Sequence, residues 1–200
     1  MLRIFLTVSV LFWNQLAAQD PAEEALDFCQ DEDCLKPVEA ILGSNYDVLE
    51  FDFRQLVTTD CSGTNARLVV DDGLIKIANY SLGENAAGTV VPVFPPWGAL
   101  GYLENGEVQQ KFNVFIPIVP QVINPPDPTD PTIEIVIRPP TLYFVRGFDN
   151  KVDDEQIKVR VTQFMKDLEQ DNQPFNRTTF TMAIFSTQGL MEIGFEKIGE

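Results

Sequence analysis

The feature that most constrains the fold is an amphipathic helix enclosed by strand patterns in the last third of the chain. Residues 152–170 place apolar side chains at the spacing of one helical face, and these are Ile157, Val161, Phe164 and Leu168. Asp149 or Asn150 is expected to cap this helix, and the acidic residues of its first turn suit the helix dipole. Strand patterns flank the helix, two before it and two after it, at 132–138, 142–148, 178–185 and 190–195.

A similar arrangement occurs earlier in the chain. Asn65 is expected to cap a helix that runs to about Tyr80, although Gly73 in its interior costs up to about 1 kcal/mol relative to alanine. Strand patterns surround this helix at 46–53, 88–94 and 111–119. The linker after residue 94 contains Gly98, Gly101 and Asn105-Gly106 and predicts a hairpin. Each half therefore holds one helix beside largely antiparallel strands, which predicts an α+β fold with an internal duplication.

The N-terminus has the pattern of a secretory signal peptide. A short basic start at Arg3 is followed by an apolar run over 4–13 and by small residues at Ala17 and Ala18. No later stretch has the roughly 20 apolar residues that a membrane span needs. The sequence therefore predicts a secreted, extracellular protein without a membrane span after cleavage, with a signal peptide at 1–19, an acidic arm at 20–43 and one domain at 44–200.

Three cysteines, Cys29, Cys34 and Cys61, are candidates for a disulfide, because secretion places the chain in an oxidising compartment. One disulfide leaves one thiol, and all three pairings stay open. Cys29 and Cys34 are close in sequence, whereas a bridge from Cys34 to Cys61 would tie the arm to the domain. A zinc site is disfavoured, because the chain has no fourth cysteine and no histidine.

Two sequons predict N-glycosylation, in keeping with a secretory route. They are Asn79-Tyr80-Ser81 and Asn176-Arg177-Thr178. Asn176 follows Pro174 in a turn-like segment and is the better candidate, whereas Asn79 falls in the expected first helix.

The charge of the chain excludes several kinds of partner. It has 14 basic and 30 acidic residues and a formal net charge of −16 at pH 7. Nucleic acid and anionic membrane surfaces would repel such a protein. No nucleic-acid partner is therefore expected, and the sequence carries no sign of the oligomeric state.

The sequence contains few of the residues and motifs that enzymes use for catalysis. Without histidine the usual general base near neutral pH is missing, and no nucleophile elbow, phosphate-binding loop or metal-ligand motif is present. The carboxylate clusters at 71–72 and 153–155 are expected to be a solvated face and a helix start. These observations predict a protein that is not an enzyme and has no metal cofactor of its own.

Seven segments, taken in order, resemble the SOUL family of haem-binding proteins. The first two are Tyr46-Asp47-Val48-Leu49-Glu50-Phe51, similar to the family's first strand, and residues 76–85, similar to its Tyr-Ile-x-Gly-x-Asn signature. The other five segments are residues 90–93, 112–117, 125–130, 145–149 and 192–195. The resemblance covers residues 44–197. It implies a distorted antiparallel β-barrel of two similar halves with two helices packed outside.

The resemblance also implies a ligand and a site. The family binds a tetrapyrrole in a shallow apolar groove beside its first helix, and the matching residues here are Val70, Leu74, Ile77 and Ala78, which could equally be a buried helix stripe. Glu50 stands where some members carry a haem-binding histidine. We therefore expect a secreted, non-enzymatic protein that holds haem or another porphyrin non-covalently, without histidine ligation. The alternative is an extracellular interaction or matrix protein on the same fold that has lost tetrapyrrole binding.

Overall fold

A computed structural model describes residues 37–52, 55–149, 153–184 and 190–199. Its elements are β1 (Glu39–Ile41), β2 (Asp47–Phe51), β3 (Gln55–Ser62), α1 (Ala66–Ser81), β4 (Trp97–Glu104), β5 (Glu107–Pro117), β6 (Ile133–Ile137), β7 (Thr141–Asp149), α2 (Asp154–Gln170), β8 (Thr179–Ile184) and β9 (Leu190–Glu196). The predicted signal peptide, most of the acidic arm, Cys29 and Cys34 lie outside the described residues. The end of the arm supplies β1, which pairs with β2 through Glu39 and Glu50.

The strands form one nine-stranded antiparallel sheet in the order β1-β2-β7-β9-β8-β4-β5-β3-β6. The sheet stays open, with β1 and β6 as its edges, and it curls as a distorted barrel does. The prediction of an α+β fold with two helices on an antiparallel sheet is confirmed.

The two halves, 47–117 and 133–196, have the same order of elements: two strands, a helix and two strands. In each half the second strand pairs with the last, β3 with β5 and β7 with β9, while β4 and β8 pair at the centre. The first strand of each half pairs instead with the opposite half, β2 with β7 and β6 with β3. We call β2 and β6 the exchanged strands.

Both faces of the sheet are buried in part, because strand side chains alternate between them. The larger core lies on the face that carries the helices and includes Ile77, Val114, Phe164 and Phe195. A second cluster covers the other face, where strands from distant parts of the sheet meet; its members are Leu49, Phe51, Leu56, Phe115, Tyr143 and Val145. This second cluster shows how strongly the sheet curls.

Side-chain caps set the start of both helices. Asn65 caps α1 as predicted, and its side chain accepts a hydrogen bond from the Leu68 N–H at 3.0 Å. The cap of α2 is Asp153, which accepts from Gln156, and neither predicted residue fills that position. Asp149 still pairs with Leu190 as the last residue of β7, and Asn150 lies outside the described residues.

One predicted strand is misplaced. Residues 88–94 are irregular apart from a single bridge between Val93 and Ile118, and the strand that enters the sheet is β4. Its glycines lie where neighbours approach closely: a Cβ at Gly98 would overlap the Met182 carbonyl oxygen, and one at Gly101 would overlap the Phe180 ring. The predicted hairpin forms at Asn105-Gly106, where both residues have positive φ.

Candidate ligand-binding surface

The first helix packs closely on the sheet through one face. Val70 and Ile77 point into the large core and are 6% and 0% exposed. Gly73 allows the close approach, because a Cβ there would lie 2.6 Å from Val114 Cγ2 and 3.1 Å from Cys61 Sγ. Val70 and Ile77 therefore contact the protein core, and neither side chain faces a groove.

An exposed apolar surface runs along one side of the same helix. Leu74 and Ala78 are half-buried at its inner border. Leu68, Ile75 and Leu82 follow one another at seven-residue spacing, which is close to two helical turns, and they are 61%, 60% and 74% exposed. We call these five residues, Leu68, Leu74, Ile75, Ala78 and Leu82, the apolar flank.

The apolar flank continues into the loop that follows the helix. The Val91 N–H donates to the Ser81 carbonyl oxygen at 2.8 Å, and the Ser81 hydroxyl donates to the Val91 carbonyl oxygen at 2.6 Å. These bonds hold the loop against the last turn of α1, next to Leu82. Val90, which precedes Val91, is 68% exposed and extends the apolar surface beyond the helix.

Hydrogen bonds between two of the SOUL-like segments, 76–85 and 125–130, stabilise the end of α1. The Tyr80 ring is fully buried, and its hydroxyl donates to the Pro126 carbonyl oxygen at 2.8 Å. Burial raises the pKa of the Tyr80 phenol. Asn85 donates to the carbonyl oxygens of Tyr80 and Thr89 at 3.0 and 2.7 Å. The 76–85 and 125–130 segments therefore meet in space and support one side of the candidate surface.

Two adjacent aspartates lie on different sides of α1. Asp71 follows Leu68 by three residues and precedes Leu74 and Ile75 by three and four, so it projects within the apolar flank. Asp72 projects about 100° further round the helix. Burial raises the pKa of the Cys61 thiol, and the Asp72 charge adds to this rise while the Lys76 charge opposes it. Asp72 and Lys76 therefore lie on the Cys61 side.

The described residues suit the apolar ring of a tetrapyrrole better than its iron. The chain has no histidine, and no group of three or more metal-ligating side chains occurs among residues 37–52, 55–149, 153–184 and 190–199. Glu50 lies on β2, between β1 and β7, whereas α1 packs on β3 and β5. The Tyr80 hydroxyl is already bonded to Pro126. The apolar flank therefore offers contact to a ring face without an imidazole for the metal.

The predicted modification sites are placed as follows. Asn79 is exposed on α1, while Asn176 is half-buried and donates to Glu196 Oε2 at 3.2 Å. The Thr178 hydroxyl donates to Asn176 Oδ1 at 2.7 Å within the second sequon. Cys61 is a free, half-buried thiol in the part of the chain that is described. Glycosylation and disulfide formation both remain predictions.

Two cavities lie on the face of the sheet opposite the helices. One is lined by Phe51, Phe115, Tyr143 and their neighbours, and the other by a mixture of apolar residues such as Leu100 and polar residues such as Arg138 and Glu196. Neither cavity contains a residue of α1.

The residues predicted from the sequence agree only in part with the apolar flank. The predicted residues share a helix, but only Leu74 and Ala78 lie on the flank, while Val70 and Ile77 are core. Leu68, Ile75 and Leu82 were missed. The signal that could have revealed them is a second row of apolar residues, seven positions apart, on a side of the helix other than the buried one.

No helix within the described ranges is both long and apolar enough to cross a bilayer.

Comparison with known proteins gives one family match. The model of the family described as SOUL heme-binding protein matches residues 37–191. No curated protein sequence matches the chain.

Three solved structures are similar in backbone. A Staphylococcus aureus protein described as a bacterial transcription regulation protein has a TM-score of 0.44 and 14% identity, over 78% of this chain and 100% of that one. SAV2435 bound to tetraphenylphosphonium has a TM-score of 0.42 and 12% identity, over 78% and 94%. A hydrolase from Listeria innocua has a TM-score of 0.43 and 11% identity, over 82% and 93%.

Proposed function

Because the chain belongs to the SOUL heme-binding protein family, we propose that it is a non-enzymatic binding protein that holds haem or another porphyrin against the apolar flank of α1. The contact is non-covalent and is made through the ring face, without histidine ligation. The observation that carries this proposal is the exposure of Leu68, Ile75 and Leu82 on one side of the helix.

The energetics favour a flat apolar ligand at this surface. Full burial of a leucine or isoleucine side chain is worth about 1.5–3 kcal/mol. Leu68, Ile75 and Leu82, which are 61%, 60% and 74% exposed, would gain a part of that when a ring covers them. Apolar patches on a protein surface often mark binding sites, and here the patch also contains Asp71. A tetrapyrrole ring can cover several of the flank residues together, since it is planar and largely apolar.

The absence of histidine supports a binding role over catalysis. No side chain of the chain has an unperturbed pKa near neutrality, so the usual acid–base group of hydrolytic and transfer reactions is missing. No Ser-His-Asp or Cys-His constellation can therefore form.

The experiment is a titration of haemin, and separately of iron-free porphyrin, into the purified protein. Saturable changes in the Soret band with both ligands are expected, because the ring face makes the contact. Absence of a saturable change at tens of micromolar would overturn the proposal. The predicted alternative, an extracellular interaction or matrix protein, would then stand in its place.

A matched pair of variants locates the binding surface. Ile75 on α1 and Val159 on α2 are 60% and 59% exposed, so an aspartate should be tolerated by the fold at either position. Ile75→Asp is expected to weaken porphyrin binding about tenfold or more, because it places a charge against the ring. Val159→Asp should bind as the parent does. Equal affinities for the two variants would show that the ligand lies elsewhere.

We further propose that the protein is secreted after removal of residues 1–19, carries one disulfide among Cys29, Cys34 and Cys61, and is glycosylated at Asn176. The supporting observations are the signal-peptide pattern, the cysteine count and the sequon. Mass analysis of the protein from the medium of expressing cells, under non-reducing conditions and before and after glycosidase treatment, tests all three. An intact N-terminus, three free thiols or an unchanged mass would contradict the respective part.

A further inference from the structure

The cavity that contains Arg138 and Glu196 is large enough for a small molecule. Its volume is about 200 Å³. A cavity of roughly 150 Å³ admits a molecule of the size of benzene, so a ligand of that size or somewhat larger fits here. Leu100 contributes an apolar wall, and the polar lining consists of Arg138, Tyr143, Asn176, Thr179, Thr181 and Glu196.

Arg138 and Tyr143 provide hydrogen-bond donors on one side of the cavity. Arg138 directly follows β6, and the conformationally restricted Pro139-Pro140 turn leads from it towards Tyr143 on β7. Burial raises the pKa of the Tyr143 phenol, and the charge and hydrogen bond of Arg138 oppose this rise. The phenol is therefore protonated at neutral pH. Because its oxygen accepts from Arg138, its O–H is left to donate to a ligand.

Glu196 provides an acceptor close to these donors. It is the cross-strand partner of Tyr143, so the two side chains lie on the same face of the sheet. The Thr178 hydroxyl and N–H both donate to Asn176 Oδ1, at 2.7 and 2.9 Å, which leaves Asn176 Nδ2 to donate to Glu196 Oε2 at 3.2 Å. In the part of the chain that is described, no donor is bonded to Glu196 Oε1. The carboxylate is thus held in place with one oxygen available.

The two charges of the cavity do not neutralise each other. None of the ion pairs among the described residues includes Arg138 or Glu196, although both charges act on the Tyr143 phenol. A simple anion would be opposed by Glu196 and by the net charge of −16, and a simple cation by Arg138. A ligand that carries both charges satisfies both groups, since charged donors and acceptors form the strongest hydrogen bonds.

We propose that this cavity binds a small zwitterion of the α-amino acid class. The ligand carboxylate accepts from Arg138 and Tyr143, and its ammonium group donates to Glu196. The Thr181 hydroxyl already donates to the Gly194 carbonyl oxygen at 3.3 Å, so its own oxygen is able to accept from the same ammonium group. The site lies on the sheet face opposite α1 and is independent of the porphyrin surface.

The first experiment screens the standard L-α-amino acids by isothermal titration calorimetry. The protein is produced in a host that adds no N-glycan, because a glycan on Asn176 would place a sugar at the cavity. The amino acid that binds most tightly is then compared with its amide, which lacks the carboxylate, and with the corresponding acid that lacks the amino group. Each analogue is expected to bind about tenfold or more weakly, because one charged group of the cavity loses its partner.

Two variants assign the charged groups. Arg138→Gln should weaken binding of the amino acid about tenfold and leave binding of the amide unchanged, and Glu196→Gln should do the same with the deaminated acid in place of the amide. Lys158→Gln and Glu155→Gln are the controls. They remove the same charges from side chains of α2 that are 50% and 79% exposed, and both should bind as the parent does.

The outcomes decide between this site and none. If no amino acid shows saturable binding to the parent protein at about 10 mM, the proposal is wrong. It is equally wrong if the parent binds the amino acid and both analogues with the same affinity, a result that requires no variant to fold. Arg138→Gln should bind haemin as the parent does, so failure of the amino-acid site leaves the proposed function standing.

Discussion

The carboxylate of Asp154, in the first turn of α2, accepts a hydrogen bond from the Ala66 N–H at the start of α1 at 3.0 Å. It also lies 3.4 Å from the Arg67 nitrogen. One aspartate thus caps a helix in the opposite half of the protein while it occupies the first turn of its own. The starts of the two helices are consequently joined by a single side chain.

Asp154→Ala is expected to lower the free energy of unfolding by about 1–2 kcal/mol, because α1 loses a cap and α2 loses a favourable charge. Glu155→Ala is the control. Its side chain is 79% exposed and lies 3.9 Å from Lys158, so its loss should cost at most about 0.5 kcal/mol. Urea denaturation of both variants measures the difference. Equal midpoints would show that the bond between the helices contributes nothing.

Asn85 supports the loop beside the apolar flank, and it should tolerate no substitution. It is 6% exposed, and its amide group donates to the carbonyl oxygens of Tyr80 and Thr89. Asn85→Ala is expected to lose about 2 kcal/mol, because the buried Asn85 side chain loses its hydrogen bonds to the Tyr80 and Thr89 carbonyl oxygens, of which only the Tyr80 oxygen has a second donor among the described residues, the Gly83 N–H. Thermal unfolding followed by circular dichroism would register the loss.

Asn85→Asp adds a pH test to the same position. An ionised carboxylate would face the two carbonyl oxygens, so the folded state should raise the pKa of the introduced acid. A raised pKa means that stability is lost as pH rises, and the deficit relative to the parent should be larger at pH 7 than at about pH 4. A deficit independent of pH would contradict the hydrogen-bond assignment.

Replacement of Gly73 is expected to lower the stability of the protein, although Gly73 lies within a helix. In an open helix, Gly→Ala stabilises by up to about 1 kcal/mol. Here the new Cβ would lie 2.6 Å from Val114 Cγ2 and 2.8 Å from Val114 Cβ, so Gly73→Ala is expected to destabilise by about 1–3 kcal/mol. In a Val114→Ala background the same change should cost less, and a double-mutant cycle measures the coupling. Additive effects would show that the two positions are not in contact.

The ion pair between Arg146 and Asp167 should contribute to stability only above acidic pH. The atoms are 2.7 Å apart, and the hydrogen bond from Arg146 holds the pKa of the Asp167 carboxyl below its usual value. A lowered folded pKa means that the stabilisation is complete above the unfolded pKa of about 3.9 and is lost as pH falls through the folded value.

Asp167→Asn should therefore be about 1 kcal/mol less stable than the parent at pH 7, and the difference should vanish at strongly acid pH. Asp60→Asn is the comparison, since the Asp60 side chain is 61% exposed and lies 3.9 Å from Lys111. If Asp60→Asn lost as much stability as Asp167→Asn, the short Arg146–Asp167 ion pair would have no special importance. Denaturant titrations over a range of pH provide both values.

Most elements could be predicted because their signals are local. The stripe of Ile157, Val161, Phe164 and Leu168 is fully core, and the Asn105-Gly106 turn forms where its backbone preferences place it. The strand at Trp97–Glu104 could not be recognised, because its glycines are required by the distant residues Met182 and Phe180, whereas glycine normally argues against a strand.

The candidate site was foreseen only in part, for a related reason. Periodicity identifies the face of α1 that packs on the sheet, and that face contains Val70 and Ile77. It does not identify an apolar residue that stays in water, such as Ile75, because this depends on what the rest of the chain leaves uncovered. The family resemblance indicated that α1 forms the candidate site, and the structure then showed which side of α1 is exposed.

The exchanged strands bear on how the protein responds to cleavage. The boundary between the halves is crossed by three strand pairs: β2 with β7, β4 with β8 and β3 with β6. A single cut between residues 118 and 132 would sever the backbone and leave all three pairs in place. The two fragments should then stay together as a non-covalent heterodimer until a denaturant separates them, so the protein is a natural substrate for fragment complementation.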